Sequence, residues 1–127
     1  MKILGIGVDI IKNKRIKSLL KNKNFIKRTF GKKEVQLSKK ISNKDLYFAK
    51  RFAAKESFAK ALGTGFRNNL NFKDIEILND KIGKPYYFKS IKIDNIVRQK
   101  FNIKKYNLFL SISDEKDYSI AFTILQK

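Results

Sequence analysis

The chain has no cysteine and no histidine in its 127 residues. Without cysteine there is no disulfide framework and no thiolate zinc site. Without histidine the usual general base near neutral pH is missing, and so is the commonest transition-metal ligand. Any metal would have to be held by carboxylates, which favours magnesium or a similarly hard ion. Long apolar runs are also missing: the longest is about the length of a strand, so no segment reads as membrane-spanning. The opening Met1-Lys-Ile-Leu-Gly-Ile-Gly7 has no long h-region and no small-residue cleavage site, and Asp9 interrupts it. A signal peptide is therefore not expected, and a cytoplasmic location is. Acids are scarce: 11 Asp and Glu face 30 Lys and Arg, a net charge of +19. That imbalance suits a polyanionic partner such as nucleic acid, a membrane surface, a phosphorylated ligand or an acidic protein. Part of it belongs to a joint richness in Lys, Asn, Ile and Phe, the bias of an AT-rich genome.

What is present is enough for a core. With 43% hydrophobic residues the chain reads as one globular domain spanning 1–127. Its centre is Arg51-Phe-Ala-Ala-Lys-Glu-Ser-Phe-Ala-Lys-Ala-Leu-Gly63, which is rich in helix formers and free of proline. Asn43 or Ser42 can cap a helix over 44–63, Asp45 suits its first turn, and Gly63 suits its stop. At about 100° per residue, Phe48, Ala49, Phe52, Ala53 and Ala59 fill one apolar arc, with Glu56 near its middle. A carboxylate facing a core needs a cation or a metal. Lys60, four residues on, offers an internal helix pair as one account; a bound metal is the other.

Around this helix the pattern is mixed. Residues 2–10 alternate as a strand, with Leu4, Ile6, Val8 and Ile10 expected on the buried face. Gly5, Gly7 and Asp9 share the other face, where the glycines leave room for a ligand or another backbone. Taken alone, Asp9 reads more readily as an ordinary acid at a strand end. Residues 11–40 hold twelve Lys or Arg and one acid, Glu34. An amphipathic helix is expected through Arg15-Ile16 and Leu19-Leu20, followed by short helices from about Asn24 to Gly31 and over 33–39. This basic stretch is either a solvated face or a docking surface for an acidic partner. Strands are expected at 74–78 and 84–88, a short helix at 91–101, and a closing hairpin of 106–113 and 118–125 around Asp114-Glu-Lys-Asp117. In that hairpin Leu108, Leu110 and Ile112 are expected to pair with Ile120, Phe122 and Ile124.

Gly5-Ile-Gly-Val-Asp-Ile10, the helix Arg51–Gly65 and Ser111-Ile-Ser-Asp-Glu-Lys-Asp-Tyr-Ser-Ile-Ala-Phe122 together resemble one family. It is the holo-acyl-carrier-protein synthases, the small 4′-phosphopantetheinyl transferases; Ile75-Glu-Ile77 and Gly83-Lys-Pro85 fit its order. The resemblance implies an α+β fold with a mainly antiparallel sheet packed against a long central helix. It implies transfer of the 4′-phosphopantetheine arm from coenzyme A to a serine of apo-acyl-carrier protein, leaving adenosine 3′,5′-bisphosphate. Magnesium is then expected on Asp9 and Glu56, which also become the catalytic residues, with Glu56 or a water as base. Arg51 and Lys60 are expected on the nucleotide phosphates, Lys55 near the diphosphate, and Pro85 beside the adenosine. Lys14, Arg15, Lys17 and Lys21 become the face that steers an acidic carrier protein, and a homotrimer with shared sites is implied. Asp114 departs from the family's closing motif, which usually has histidine there. It reads either as a weakened phosphate contact or as a turn residue. Two rival readings stand beside this one: a small basic nucleic-acid-binding domain, and a carrier-protein-binding homologue without activity.

Overall fold

A computed structural model describes residues 1–67 and 69–127. The order is β1 (Ile3–Lys12), α1 (Asn13–Leu19), α2 (Lys23–Thr29), α3 (Lys32–Ser38), α4 (Lys44–Leu62), a 3₁₀ turn (Phe72–Asp74), β2 (Ile77–Asn79), β3 (Pro85–Tyr87), α5 (Ile91–Phe101), β4 (Asn107–Asp114) and β5 (Tyr118–Gln126). This is an α+β fold. One antiparallel sheet runs β1-β5-β4, and β2 and β3 form a separate hairpin.

The predicted central helix is present. The Asn43 side chain accepts the Leu46 N–H at 3.1 Å, and Gly63 ends the helix with φ +88°, a conformation glycine adopts without a Cβ penalty. Its surroundings differ from the wheel reading. Phe48, Phe52, Phe58, Ala49, Ala53, Ala54, Ala59, Ala61 and Leu62 are buried around almost the whole circumference. Lys44 and Lys60 are exposed, and Glu56 is half-buried. Glu56 therefore lies on the thinly covered side, not at the middle of the core-facing one.

Helix α4 lies directly across β1, and the glycines make this possible. A Cβ on Gly5 would come within 1.8 Å of the Ala61 carbonyl oxygen, and one on Gly7 within 1.9 Å of the Ser57 carbonyl oxygen. The room beside Asp9 is filled by helix backbone rather than by a ligand. This also corrects the strand's facing. Gly5, Gly7, Asp9 and Ile11 turn inward beside Leu125, Thr123, Ala121 and Ser119 of β5. Ile6, Val8 and Ile10, expected inside, are 59%, 56% and 60% exposed.

The closing hairpin forms with a shifted pairing. Leu108, Leu110 and Ile112 lie opposite Leu125, Thr123 and Ala121, and pack towards the core. Ile120 and Phe122 face the other way with Phe109 and are exposed. Because side chains alternate along a strand, a one-residue change of partner moves a whole set to the other face. The strand expected at 74–78 begins with the 3₁₀ turn, so β2 starts at Ile77.

The three short helices wrap one end of α4. Phe25 and Phe30, read as core residues, are buried. Phe30 sits 4.6 Å from Phe48, and Phe52 stacks on Phe72 at 5.3 Å between ring centroids. Such pairs contribute about 0.5–1.5 kcal/mol each beyond the area they bury. Inside, Ser57, Tyr87 and Thr123 share hydroxyl hydrogen bonds of 2.6 Å (Ser57–Thr123) and 2.7 Å (Tyr87–Thr123), and Tyr87 also donates to the Ala54 carbonyl at 2.7 Å. They join α4, β3 and β5 without leaving a hydroxyl unpaired.

Candidate active site

Asp9 and Glu56 meet where β1 passes under α4. Lys60 reaches back from the next helical turn. Its ammonium donates to the Val8 carbonyl at 2.9 Å and to Asp9 Oδ1 at 3.2 Å. The internal pair with Glu56 considered for Lys60 is thus replaced by a pair with Asp9, leaving Glu56 with no ion-pair partner among the described residues. Burial raises the Asp9 carboxyl above the ordinary range, while the hydrogen bond and charge of Lys60, and then the charge of Arg15, act against the rise. Glu56 is raised as well, first by burial and next by the Asp9 charge, with Lys60 and Arg15 opposing. Two carboxylates therefore compete for the influence of one ammonium and one guanidinium.

This donor set fits magnesium. The ion takes oxygen ligands, often one or two carboxylates, and completes its shell with water and substrate phosphate. No cluster of three or more His, Cys, Asp or Glu exists among the described residues. The pair Asp9 and Glu56 thus suits an ion that arrives with most of its shell, not one needing an all-protein cage. The chemistry of the pair also points that way, since added positive charge would relieve its mutual repulsion.

Arg51 and Pro85 are linked elsewhere, through Asn79 of the β2–β3 hairpin. The Arg51 guanidinium lies 3.6 Å from the Tyr47 ring centroid and donates to Asn79 Oδ1 at 2.5 Å. Asn79 pairs with Pro85 across the β2–β3 hairpin, and its amide donates to the Gly83 carbonyl at 2.9 Å. Arg51 Nε is buried with no hydrogen-bond partner among the described residues. Arg51 and Glu56 are five residues apart, about 140° around the helix, so the two groups leave α4 on different sides.

Lys55 requires a correction. Expected near a diphosphate, it is 0% exposed, with its ammonium 2.6 Å from Glu34 Oε1, itself 0% exposed. All three of its protons go to protein oxygens, so it has none to offer a phosphate there. The charge enclosed in the core is this pair, and α4 reaches it on the side away from β1.

Lys14, Arg15, Lys17 and Lys21 are all exposed, as are the other eight cations of residues 11–40. Since Glu34 is withdrawn into the core, that segment's surface carries no acid at all. Arg15 has a second position to fill. Its guanidinium carbon is 6.0 Å from the Phe52 ring centroid, and its charge acts on both Asp9 and Glu56. Lys14 and Lys17 also line a recess of about 500 Å³ with Asp45 and Asp114. Asp114 is the last residue of β4, opposite Ser119, and is exposed. Two neighbours of the site escaped the sequence reading: Asn79, which read as part of a turn, and Arg15's approach to the carboxylates, which no local pattern marks.

Comparison with known proteins places the chain in a family. A family model described as the 4′-phosphopantetheinyl transferase superfamily matches residues 5–123. The holo-[acyl-carrier-protein] synthase of Pelagibacter ubique is 62% identical over 127 residues, covering 100% of this chain and 99% of that one. That of Ehrlichia chaffeensis is 49% identical over 128 residues, covering 97% and 96%. Among solved structures, the Neisseria meningitidis synthase superposes with TM-score 0.86 at 38% identity, covering 98% of this chain and 99% of its own. The Bacillus anthracis synthase, in complex with CoA (3′,5′-ADP), gives 0.82 at 34% identity, covering 100% and 99%. The chain belongs to the 4′-phosphopantetheinyl transferase superfamily, and within it to the holo-[acyl-carrier-protein] synthase family. It is therefore an enzyme, a phosphopantetheinyl transferase.

Proposed function

We propose that this enzyme moves the 4′-phosphopantetheine arm of coenzyme A to a serine of apo-acyl-carrier protein in a magnesium-dependent reaction, leaving adenosine 3′,5′-bisphosphate. The observation that carries the reading is the carboxylate pair Asp9 and Glu56, half-buried, raised in pKa and unevenly matched by cations. These two residues would hold the magnesium. When bound, that ion would neutralise charge on the diphosphate and on the departing phosphate. Lys60, exposed at its tip and already aimed at Asp9, supplies an ammonium for a phosphate oxygen. The serine oxygen attacks the phosphorus that carries the arm, and the bond to the 3′,5′-bisphosphate breaks. The serine proton passes to Glu56 or to a water beside it, since no histidine exists to take it.

Arg51 and Pro85 would receive the nucleotide, with Asn79 holding the guanidinium in place. Because Arg51 leaves α4 on a different side from Glu56, one site is better completed by two copies of the chain. The outer sheet face supports that assembly. Ile6, Val8, Ile10, Phe109, Ile120 and Phe122 form an exposed apolar surface of the kind that marks an interface. A homotrimer with sites between subunits is the assembly we infer. Lys14, Arg15, Lys17 and Lys21 would draw in the acidic carrier protein.

The test is direct. The protein is incubated with coenzyme A, magnesium and apo-acyl-carrier protein, and the carrier protein is weighed. A mass increase of one phosphopantetheine, lost when the metal is chelated, supports the reading. Binding of the carrier protein without a mass increase would leave a homologue that docks but does not transfer.

A further inference from the structure

The Glu34–Lys55 pair is the most deeply enclosed charge in the molecule, and the mechanism above gives it no task. Its hydrogen bonds show where it acts. The Lys55 ammonium has three protons. One goes to Glu34 Oε1 at 2.6 Å, one to the Phe72 carbonyl at 3.0 Å and one to the Ile75 carbonyl. Glu34 Oε1 also accepts the Gly31 N–H at 3.0 Å, and Oε2 accepts the Ile77 N–H at 3.1 Å. Segment 72–77 is thus held at three backbone points by one ion pair. Ile77 opens β2, and two residues later Asn79 receives Arg51.

Arg51 and Lys55 are four residues apart, so they lie one above the other on the same helix face. One cation fixes the approach to β2 and the other fixes its end. The neighbouring side of the helix, with Glu56 and Lys60, faces β1 instead. The pair therefore has a direct line to the Asn79–Pro85 hairpin and none to the carboxylates.

We infer that Glu34 and Lys55 are positioning residues that set the β2–β3 hairpin, and with it Arg51 and Pro85, at the height on α4 needed to receive the nucleotide. This rests on the nucleotide role proposed for Arg51 and Pro85. It separates two effects that a buried ion pair ordinarily mixes. A pair that stabilises and nothing more, when weakened, lowers the folded fraction and so the apparent kcat, leaving KM for coenzyme A alone. A positioning pair raises that KM, because every folded molecule presents a displaced hairpin.

The experiment uses Glu34→Gln, which keeps the shape and removes the charge, in the full-length protein. The expected result is a rise in KM for coenzyme A of about tenfold with kcat per folded molecule within about twofold. Magnesium dependence should be unchanged. Amide hydrogen exchange should accelerate at Ile77–Asn79 and not in β1. Unchanged KM, or exchange that rises equally in both strands, would overturn the inference. Where Glu34→Gln folds too poorly to assay, Glu34→Asp keeps the charge, shortens its reach by one methylene, and answers the same question. Wild-type protein that neither binds coenzyme A nor transfers the arm would defeat the proposed function instead. The exchange measurement would still report on the hairpin.

Discussion

Helix α4 carries two charged groups that differ in how completely they are answered. Lys55 and Glu34 are enclosed, and all three ammonium protons and both carboxylate oxygens are met by a partner. Burial pushes Glu34 up and Lys55 down, and each one's charge opposes the shift of the other. One residue further along the helix, Glu56 lies half in water beside Asp9, with one ammonium bonded to Asp9 and none to itself. The first group is closed and the second is left short of positive charge. Closed pairs hold a shape. An open pair is able to receive something, and under the proposed function that is a metal ion and the phosphates that come with it.

The largest effect should come from breaking the closed group. Lys55→Met leaves Glu34 alone in the core and should cost about 3–5 kcal/mol of stability, read as the denaturant midpoint. Breaking the open group should spare the fold and remove the chemistry. Asp9→Ala and Glu56→Ala should keep their melting temperatures near that of the parent, while transfer falls roughly a thousandfold, about 4 kcal/mol of barrier. A circular-dichroism melt beside the mass assay separates the two cases.

Lys60→Met tests the cation shared between site and substrate. Its bond to Asp9 is partly exposed and so contributes about 1 kcal/mol or less to stability. KM for coenzyme A should nevertheless rise about tenfold, the value of one charge-assisted hydrogen bond to phosphate. The smallest effect sharpens the comparison most. Asp9 and Glu56 have raised pKa values, so their ionised forms are favoured in the unfolded chain. Their contribution to stability is full below the unfolded value and is lost as pH rises through the folded one. Without metal, Glu56→Gln should therefore match the parent's stability in acid. It should become the more stable of the two as pH rises, by a small margin because the site is partly exposed to screening solvent. Magnesium should close that gap by stabilising the parent. Stability curves at several pH values, with and without the ion, would show a gap of the opposite sign if the open pair is in fact well matched.

These contrasts also show what could be read from the residues. The span of α4 was legible because Asn43 and Gly63 mark its ends by local chemistry. Its facing was not, because a helix apolar on nearly all sides gives no direction to a wheel, and charged Lys55 is enclosed while charged Glu56 is not. In β1 the alternation was legible, but alternation has no sign. The face with the bulky residues, Ile6, Val8 and Ile10, is the outer one, because the helix needs the glycine face for its own backbone. The pairing of Asp9 with Glu56 followed from family resemblance. The Glu34–Lys55 bond joins residues 21 positions apart and had no local signal.

The strand β1 has one more consequence. Asp9 points inward to the site, while its chain neighbours Val8 and Ile10 point outward from the exposed sheet face. A subunit gripping those two side chains takes hold of the backbone on either side of the carboxylate. Catalytic competence would then vary with protein concentration: diluting the enzyme would slacken the strand that presents Asp9, and specific activity would fall more steeply than the amount of protein.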